Sequence, residues 1–192
     1  MSNRPARTDC ILLTGEIHVG KTTVCRSVIT LARRRRQRVA GIVSPPVFDH
    51  DGVRTAVDII DLSTGEQRTL ARLDCGLDGP SIGPYHFDAQ VLDWGHQVVA
   101  RALSCSCDLL VVDEVGRLEL EQDAGLRLVP LLGSGRLPPC LLVVRTSLIN
   151  LFHRKLPHLN CSAYEITLEN RVRAPAEVAA LLRSRCSPHP GP

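Results

Sequence analysis

Residues Gly15-Glu16-Ile17-His18-Val19-Gly20-Lys21-Thr22 fit the pattern G-x-x-x-x-G-K-[ST], and no other feature constrains the fold of this chain more. The pattern works in one setting only. A strand must run into the loop and a helix must leave it, so that backbone N–H groups close around phosphate oxygens at the helix start. Both flanks are present. Cys10 to Thr14 is a short apolar run that reads as a buried strand. From about Lys21 to Arg35 the spacing is helical, with Val24, Val28 and Leu31 on one side. Gly15 and Gly20 supply backbone conformations that a side chain would obstruct.

Lysine is rare here. Only Lys21 and Lys155 among the 23 basic residues are lysine, and the rest are arginine. An ammonium on a flexible stem reaches the β- and γ-phosphates, whereas a planar guanidinium is too bulky to enter the loop in the same way. The residues expected to bind nucleotide are therefore Gly15, Glu16, Ile17, His18, Val19, Gly20, Lys21, Thr22 and Thr23. The Thr22 hydroxyl is expected to hold Mg²⁺. His18 lies within the loop, with its side chain expected to face solvent.

The acid that accompanies such a loop sits at the end of a second buried strand. "DLLVVDE" (108–114) meets that description. Asp113 is the expected Mg²⁺ acid. Glu114 follows it directly and is placed to polarise an attacking water. That Glu favours hydrolysis over transfer to an acceptor phosphate. It also favours the branch of P-loop proteins that carries an extra strand between the loop strand and the acid strand. Arg145 ends the apolar run "CLLVVR" at the sheet edge where open α/β sheets bind ligands, and could sense the γ-phosphate in cis. Glu119 and Arg117 are weaker candidates near the same edge. The run "RRRRQR" (33–38) closes the first helix, where cations favour the dipole.

Elsewhere the pattern alternates. Residues 39–43 read as a strand, "FDHDG" as a turn, and 53–62 and 67–72 as two strands around "STGE". Asp88 is placed to cap a helix over Ala89 to Leu103. "AGLRLVPLLGS" reads as a helix bent or broken near Pro130. Residues 140–146 form another buried strand. A short helix (147–155), a strand (163–168) and a helix (175–185) complete the chain. Strands alternating with helices call for a three-layer α/β fold with a mainly parallel sheet, into which an antiparallel hairpin is inserted. Residues 1–186 read as one domain and 187–192 as a frayed tail.

Composition narrows the function classes. A net charge of +3 does not by itself point to a nucleic-acid partner. No apolar run is long enough to span a membrane, and "MSNRPARTDC" has no apolar signal core. The eight cysteines contain no C-x-x-C, which fits reduced thiols in a cytoplasmic protein. Cys105 and Cys107 read as small residues ahead of a strand rather than as metal ligands. With three Phe, two Tyr and one Trp, few platforms exist to stack a base.

The loop at 15–22, "DIIDLSTGEQRTLAR" (58–72), "IGPYHFD" (82–88) and "DEVGRLEL" (113–120) together resemble one group. They are similar to the small P-loop nucleoside-triphosphatases first described from thermophiles, whose relatives include the human cancer-related nucleoside-triphosphatase. The resemblance runs from about Cys10 to Arg145. It implies a P-loop NTPase fold and Mg²⁺-dependent hydrolysis of ATP, GTP, CTP and UTP with little base selectivity. It maps the acidic motif onto Asp113, Glu114 and Glu119. One departure stands out. After the second strand the group tends to read "GFYTEEVR"; here the chain reads "GIVSPPVF", with Pro45 and Pro46 in place of polar residues.

Two other functions compete. One is a kinase, for which "SLINLFHRKLPH" (147–158) would supply a lid bearing Arg154 and Lys155. The other is a nucleotide-gated adaptor, and the sequence leaves a protein partner open.

Overall fold

The computed structural model describes residues 10–74, 76–122, 124–133 and 137–185; the side chains of Glu114, Ser184 and Arg185, and the tail at 187–192, lie outside the described part. Five strands form the parallel half of one sheet. They are β1 (Cys10–Gly15), β2 (Val39–Val43), β8 (Leu109–Val115), β9 (Cys140–Val144) and β10 (Cys161–Ile166). Their order is β10-β1-β9-β8-β2. β9 therefore lies between the loop strand and the acid strand, as the acidic pair suggests. Every residue of β1, β2 and β9 is buried. That is why these strands are continuous apolar runs rather than alternating ones.

The sheet does not stop at β2. β4 (Arg54–Asp61) pairs antiparallel with β2, and β5 (Gln67–Arg72) pairs antiparallel with β4. The expected hairpin is thus an extension of the main sheet. Short strands β6 (Ser81–Ile82) and β7 (Tyr85–Phe87) continue it beyond β5, and β3 (Pro46–Phe48) pairs with β4 off the main path. Pro46 begins β3, a position where a strand needs no N–H from it. The carbonyl of Pro45 accepts the N–H of Asp58 at 3.0 Å, so the two prolines dock the start of β3 on β4.

Helices cover both faces. On one face, α1 (Lys21–Arg34) and α6 (Ala174–Arg185) bury Val24, Val28, Val178 and Leu182 against Ile11, Leu13, Val111 and Val143. On the other, α2 (Ala89–Ser104) buries Val91, Trp94, Val98 and Val99 against Leu12, Ile42, Leu110 and Leu142. α3 (Arg117–Glu121), α4 (Leu128–Gly133) and α5 (Ile149–Lys155) add Leu120, Leu128, Leu132 and Phe152 to that second core. Asp88 caps α2, accepting the Val91 N–H at 2.9 Å. The three-layer arrangement follows from residues alternating along each parallel strand between the two cores.

One expected helix is corrected. "AGLRLVPLLGS" does not bend at Pro130. Gly125 (φ 64°) and Arg127 (φ 47°) fold residues 124–127 into a turn, and α4 begins only at Leu128. Pro130 then falls in the first turn of α4, where no intrahelical N–H is required of it. α3, β3, β6 and β7 are additions to the expected elements. The arginine run does close α1: the Arg35 N–H reaches the Ala32 carbonyl at 3.0 Å. Arg38 forks onto Asp108 at 3.3 and 3.2 Å.

Gly41 shows how tightly the sheet is set. It has φ +103°, and a Cβ there would sit 2.0 Å from the Val111 carbonyl oxygen on neighbouring β8. Gly65 also has a positive φ, +79°, but opens onto free space. Gly65→Ala is expected to cost about 1–2 kcal/mol from backbone strain alone. Gly41→Ala adds a backbone collision and is expected to cost about 3 kcal/mol or more. Denaturant unfolding of both variants checks the order, and a Gly41→Ala protein as stable as Gly65→Ala contradicts it.

Candidate active site

The loop after β1 is built by backbone conformation. Gly15 has φ +140° and Gly20 φ +106°; a Cβ at Gly15 would lie 2.6 Å from the Ile166 carbonyl oxygen. His18 takes φ 64°, an uncommon value for a non-glycine residue. Val19 turns inward, 8% exposed, and joins the α1-side core. Ile17 points outward, 59% exposed. The loop thus anchors itself by one apolar side chain and leaves its backbone to face the site.

Lys21 opens α1. Its Nζ crosses the loop and donates to the Gly15 carbonyl at 2.9 Å and the Glu16 carbonyl at 2.6 Å. The Thr22 hydroxyl donates to Asp113 Oδ1 at 3.4 Å, tying α1 to β8. Asp113 is 1% exposed. Its Oδ2 accepts the Ser44 N–H at 3.5 Å, which ties the residue after β2 to the same carboxylate. Behind them Thr14 and Thr146 share a hydroxyl–hydroxyl hydrogen bond of 3.1 Å between the ends of β1 and β9. Burial first, and the Asp113 charge second, push the Cys25 thiol well above its usual range. Cys25 is therefore a neutral packing residue beneath the site, not a nucleophile.

β8 carries a local irregularity at the acidic pair. Asp113 stands opposite Val143 and Val115 opposite Val144, so Glu114 is one residue extra in the β8–β9 ladder. The bulge changes the alternation: Val115 packs in the same core as Val112 instead of following Asp113 to the other face. It separates the apolar end of β8 from the acid that meets the loop.

A pocket opens at the carboxyl ends of the parallel strands, where open α/β sheets bind ligands. Ile17, His18, Gly20, Lys21, Thr22 and Thr23 form its loop side, and Asp113, Val143 and Arg145 its floor. The structure thus brings Arg145 to the same pocket as the loop and Asp113. Gly15 and Glu16 contribute through the carbonyls that hold Lys21. The remaining wall was not among the expected residues. It comprises Arg26, Ser44, Pro45, Pro46, Phe48 and Arg54. Arg26 lies four residues after Thr22, one turn along the same helix face, and that spacing could have revealed it. Ser44 directly follows the buried run of β2, a position the sheet-edge rule also marks. Arg54 had no such signal, since it arrives on the antiparallel extension.

Two other acidic-motif residues do different work. Glu119 is 6% exposed, accepting the Gly116 N–H at 3.0 Å and the Leu126 N–H at 3.1 Å. It joins the start of α3 to the turn before α4. Arg117 pairs with Glu121 at 2.8 Å along α3. Neither lines the pocket of the loop, and neither do Arg154 and Lys155 of α5.

Thr22 and Asp113 supply a hydroxyl and a carboxylate oxygen, the hard donors that Mg²⁺ takes. Their side chains converge beside the Lys21 ammonium, so the residues present fit that ion. Among the described residues, no group of three or more His, Cys, Asp or Glu could hold a metal unaided. Among those residues too, no helix is long and apolar enough to cross a membrane.

Known proteins share this chain's pattern. The model of the NTPase family matches residues 10–179. The nucleoside-triphosphatase THEP1 of Caldivirga maquilingensis is 31% identical over 175 residues, covering 91% of this chain and 95% of that protein. The nucleoside-triphosphatase THEP1 of Archaeoglobus fulgidus is 30% identical over 175 residues, covering 90% and 98%. In structure, the chain is similar to a human cancer-related nucleoside triphosphatase, with TM-score 0.70 and 22% identity over 93% of this chain and 98% of that one. THEP1 from Aquifex aeolicus gives TM-score 0.67 and 19% identity over 90% and 98%. These two likenesses speak to the fold. On the family match and on identity across nearly the whole chain, this protein belongs to the NTPase family.

Proposed function

We propose that this chain hydrolyses nucleoside 5'-triphosphates to diphosphates and phosphate, with Mg²⁺ and with little selectivity for the base. One observation carries the reading: the Thr22 hydroxyl meets Asp113 at 3.4 Å beside a Lys21 ammonium that already spans the loop. The names of the relatives point the same way.

In this reading the loop amides of residues 15–22 and the start of α1 cradle the phosphates. Lys21 turns its donors from the Gly15 and Glu16 carbonyls to the β- and γ-phosphate oxygens. Thr22 and Asp113 hold Mg²⁺, which when bound supplies charge neutralisation at the phosphates. Thr23 contacts the phosphate nearer the nucleoside. Arg145, on the floor of the pocket, stabilises charge that gathers on the γ-phosphoryl oxygens. Glu114 accepts the proton of the attacking water. The protein works in the cytoplasm, where its substrates ATP, GTP, CTP and UTP are at hand.

The pocket wall supports the reading of low base selectivity. Phe48, 56% exposed, is the one Phe, Tyr or Trp in its lining, set beside Pro45 and Pro46. A ring and two prolines at that wall would pack any base without reading its hydrogen-bonding edge. The four common triphosphates are expected to have kcat/KM values within about tenfold, or about 1.4 kcal/mol. Phosphate release measured with each nucleotide checks this. A thousandfold preference for one base contradicts it and favours a dedicated kinase or GTPase.

A further inference from the structure

The phosphate loop leaves one end of β1, and a cluster of sulfur lies at the other. Cys10 begins β1, Cys140 begins β9 and Cys161 begins β10. These strands are neighbours, with β1 in the middle. The parallel register sets Cys10 opposite Cys161 on one side and opposite Cys140 on the other. All three side chains share a face: Cys10 and Cys140 belong to the core under α2, and Cys161 packs against it. The Cys10 thiol is hydrogen-bonded to both neighbours. All three cysteines are reduced.

Spacing decides which pairs can bond. Neighbouring strands run about 4.8 Å apart. A disulfide spans Cα separations of about 4.4–6.8 Å. Cys10 is therefore within reach of either neighbour. Cys161 and Cys140 stand two strands apart, at about twice that spacing, and cannot bond to each other.

Access decides which pair reacts. Cys10 is 3% exposed and Cys140 0%. Cys161 is half-buried on β10, the edge strand of the sheet, and is the one sulfur of the three that a small oxidant can meet. Burial first, and the hydrogen bonds to Cys140 and Cys161 second, push the Cys10 thiol well above its usual range. Cys10 thus stays protonated and reacts only with a sulfur already brought alongside it.

We propose that Cys161 and Cys10 form a site of oxidative modification, in which a peroxide reacts at Cys161 and Cys10 then closes a disulfide between β10 and β1. The Cys161 sulfur attacks one oxygen of hydrogen peroxide. The O–O bond breaks, a sulfenic acid forms and one water leaves. The Cys10 sulfur then attacks the Cys161 sulfur. The S–O bond breaks, and the hydroxyl leaves with the Cys10 proton as a second water. Two thiols are oxidised to one disulfide, and one peroxide is reduced to two waters. Cys140 stays a thiol. Low-molecular-weight thiols return the bond to two cysteines by exchange.

The test is treatment of the folded chain with hydrogen peroxide at doses that oxidise the exposed Cys105. Quenching, denaturation, alkylation of remaining thiols and mass spectrometry of tryptic peptides follow. Cys10, Cys140 and Cys161 fall on separate tryptic peptides, residues 8–21, 137–145 and 156–171. Peptide 8–21 is expected joined to 156–171, with the link lost on reduction by dithiothreitol and with 137–145 alkylated. Cys161→Ser, a small change at a half-buried edge position, is expected to slow the loss of alkylatable Cys10 at least tenfold. In the unsubstituted chain, Cys161 recovered as a thiol, as a sulfinic acid or joined to any other cysteine overturns the proposal. So does Cys10 lost as fast in Cys161→Ser as in the unsubstituted chain.

Discussion

Lys21→Ala is expected to lower turnover by roughly 10²–10³, about 3–4 kcal/mol of transition-state stabilisation, and to weaken triphosphate binding as well. The ammonium sits at the first position of α1 and reaches across the loop to two carbonyls at 2.9 and 2.6 Å. Both acceptors are backbone carbonyls of the loop itself, so the ammonium lies directly across the loop. A guanidinium at this position would have to fit a planar group of several heavy atoms where one nitrogen now lies. Lys21→Arg is therefore expected to be almost as damaging as Lys21→Ala, although it keeps the charge. Steady-state phosphate release by both variants, together with nucleotide binding by calorimetry, checks the pair. An Arg variant with near-normal turnover would show that charge alone is needed, and would remove the reason given for lysine at this position.

Glu114→Gln is expected to separate chemistry from binding. The substitution keeps the shape and removes the carboxylate that, in the proposed mechanism, would accept the proton of water. Hydrolysis is expected to fall by roughly 10²–10⁴. Mg·ATP binding is expected to survive, because Lys21, Thr22 and Asp113 remain. Asp113→Asn is expected to differ. Its two oxygens meet the Thr22 hydroxyl and the Ser44 N–H. An amide can still accept from Ser44 and donate to Thr22, so the fold should tolerate it. The negative charge that would face Mg²⁺ in the proposed site is lost, so binding, metal dependence and rate should all weaken together. The bulge makes Glu114 the extra residue of the β8–β9 ladder, directly after the Asp113 whose carboxylate meets Thr22 and Ser44. A Glu114→Gln protein that hydrolyses ATP at the normal rate removes Glu114 from the chemistry.

The parallel half of the fold was legible because burial on both faces leaves a plain mark. "CILLT", "VAGIV", "LLVVD" and "CLLVV" are runs that fit buried strands and little else. The loop was legible because phosphate binding dictates both glycines and the lysine. The antiparallel half was legible only where strands are long. β4 and β5 stood out; β3, β6 and β7, of two or three residues, are too short to show a period. The helix expected over "AGLRLVPLLGS" failed for a tertiary reason. Glu119, seven residues upstream, holds the Leu126 N–H, and that bond pins a turn where local spacing suggested a helix. The same limit hid Arg54. It reaches the pocket only because β4 folds back beside β2, and no local pattern announces where an antiparallel return will deliver a side chain.

Hydrolysis at the proposed site uses water as the nucleophile, with no other acceptor required. The most direct measurement is release of inorganic phosphate and ADP from ATP by the purified chain, with and without Mg²⁺, with no acceptor present, and beside the Lys21→Ala protein. Phosphate and ADP are expected in equal amounts, dependent on Mg²⁺ and lost in Lys21→Ala. Phosphate release no greater than that of Lys21→Ala, with ADP appearing only when an acceptor is added, would contradict this expectation.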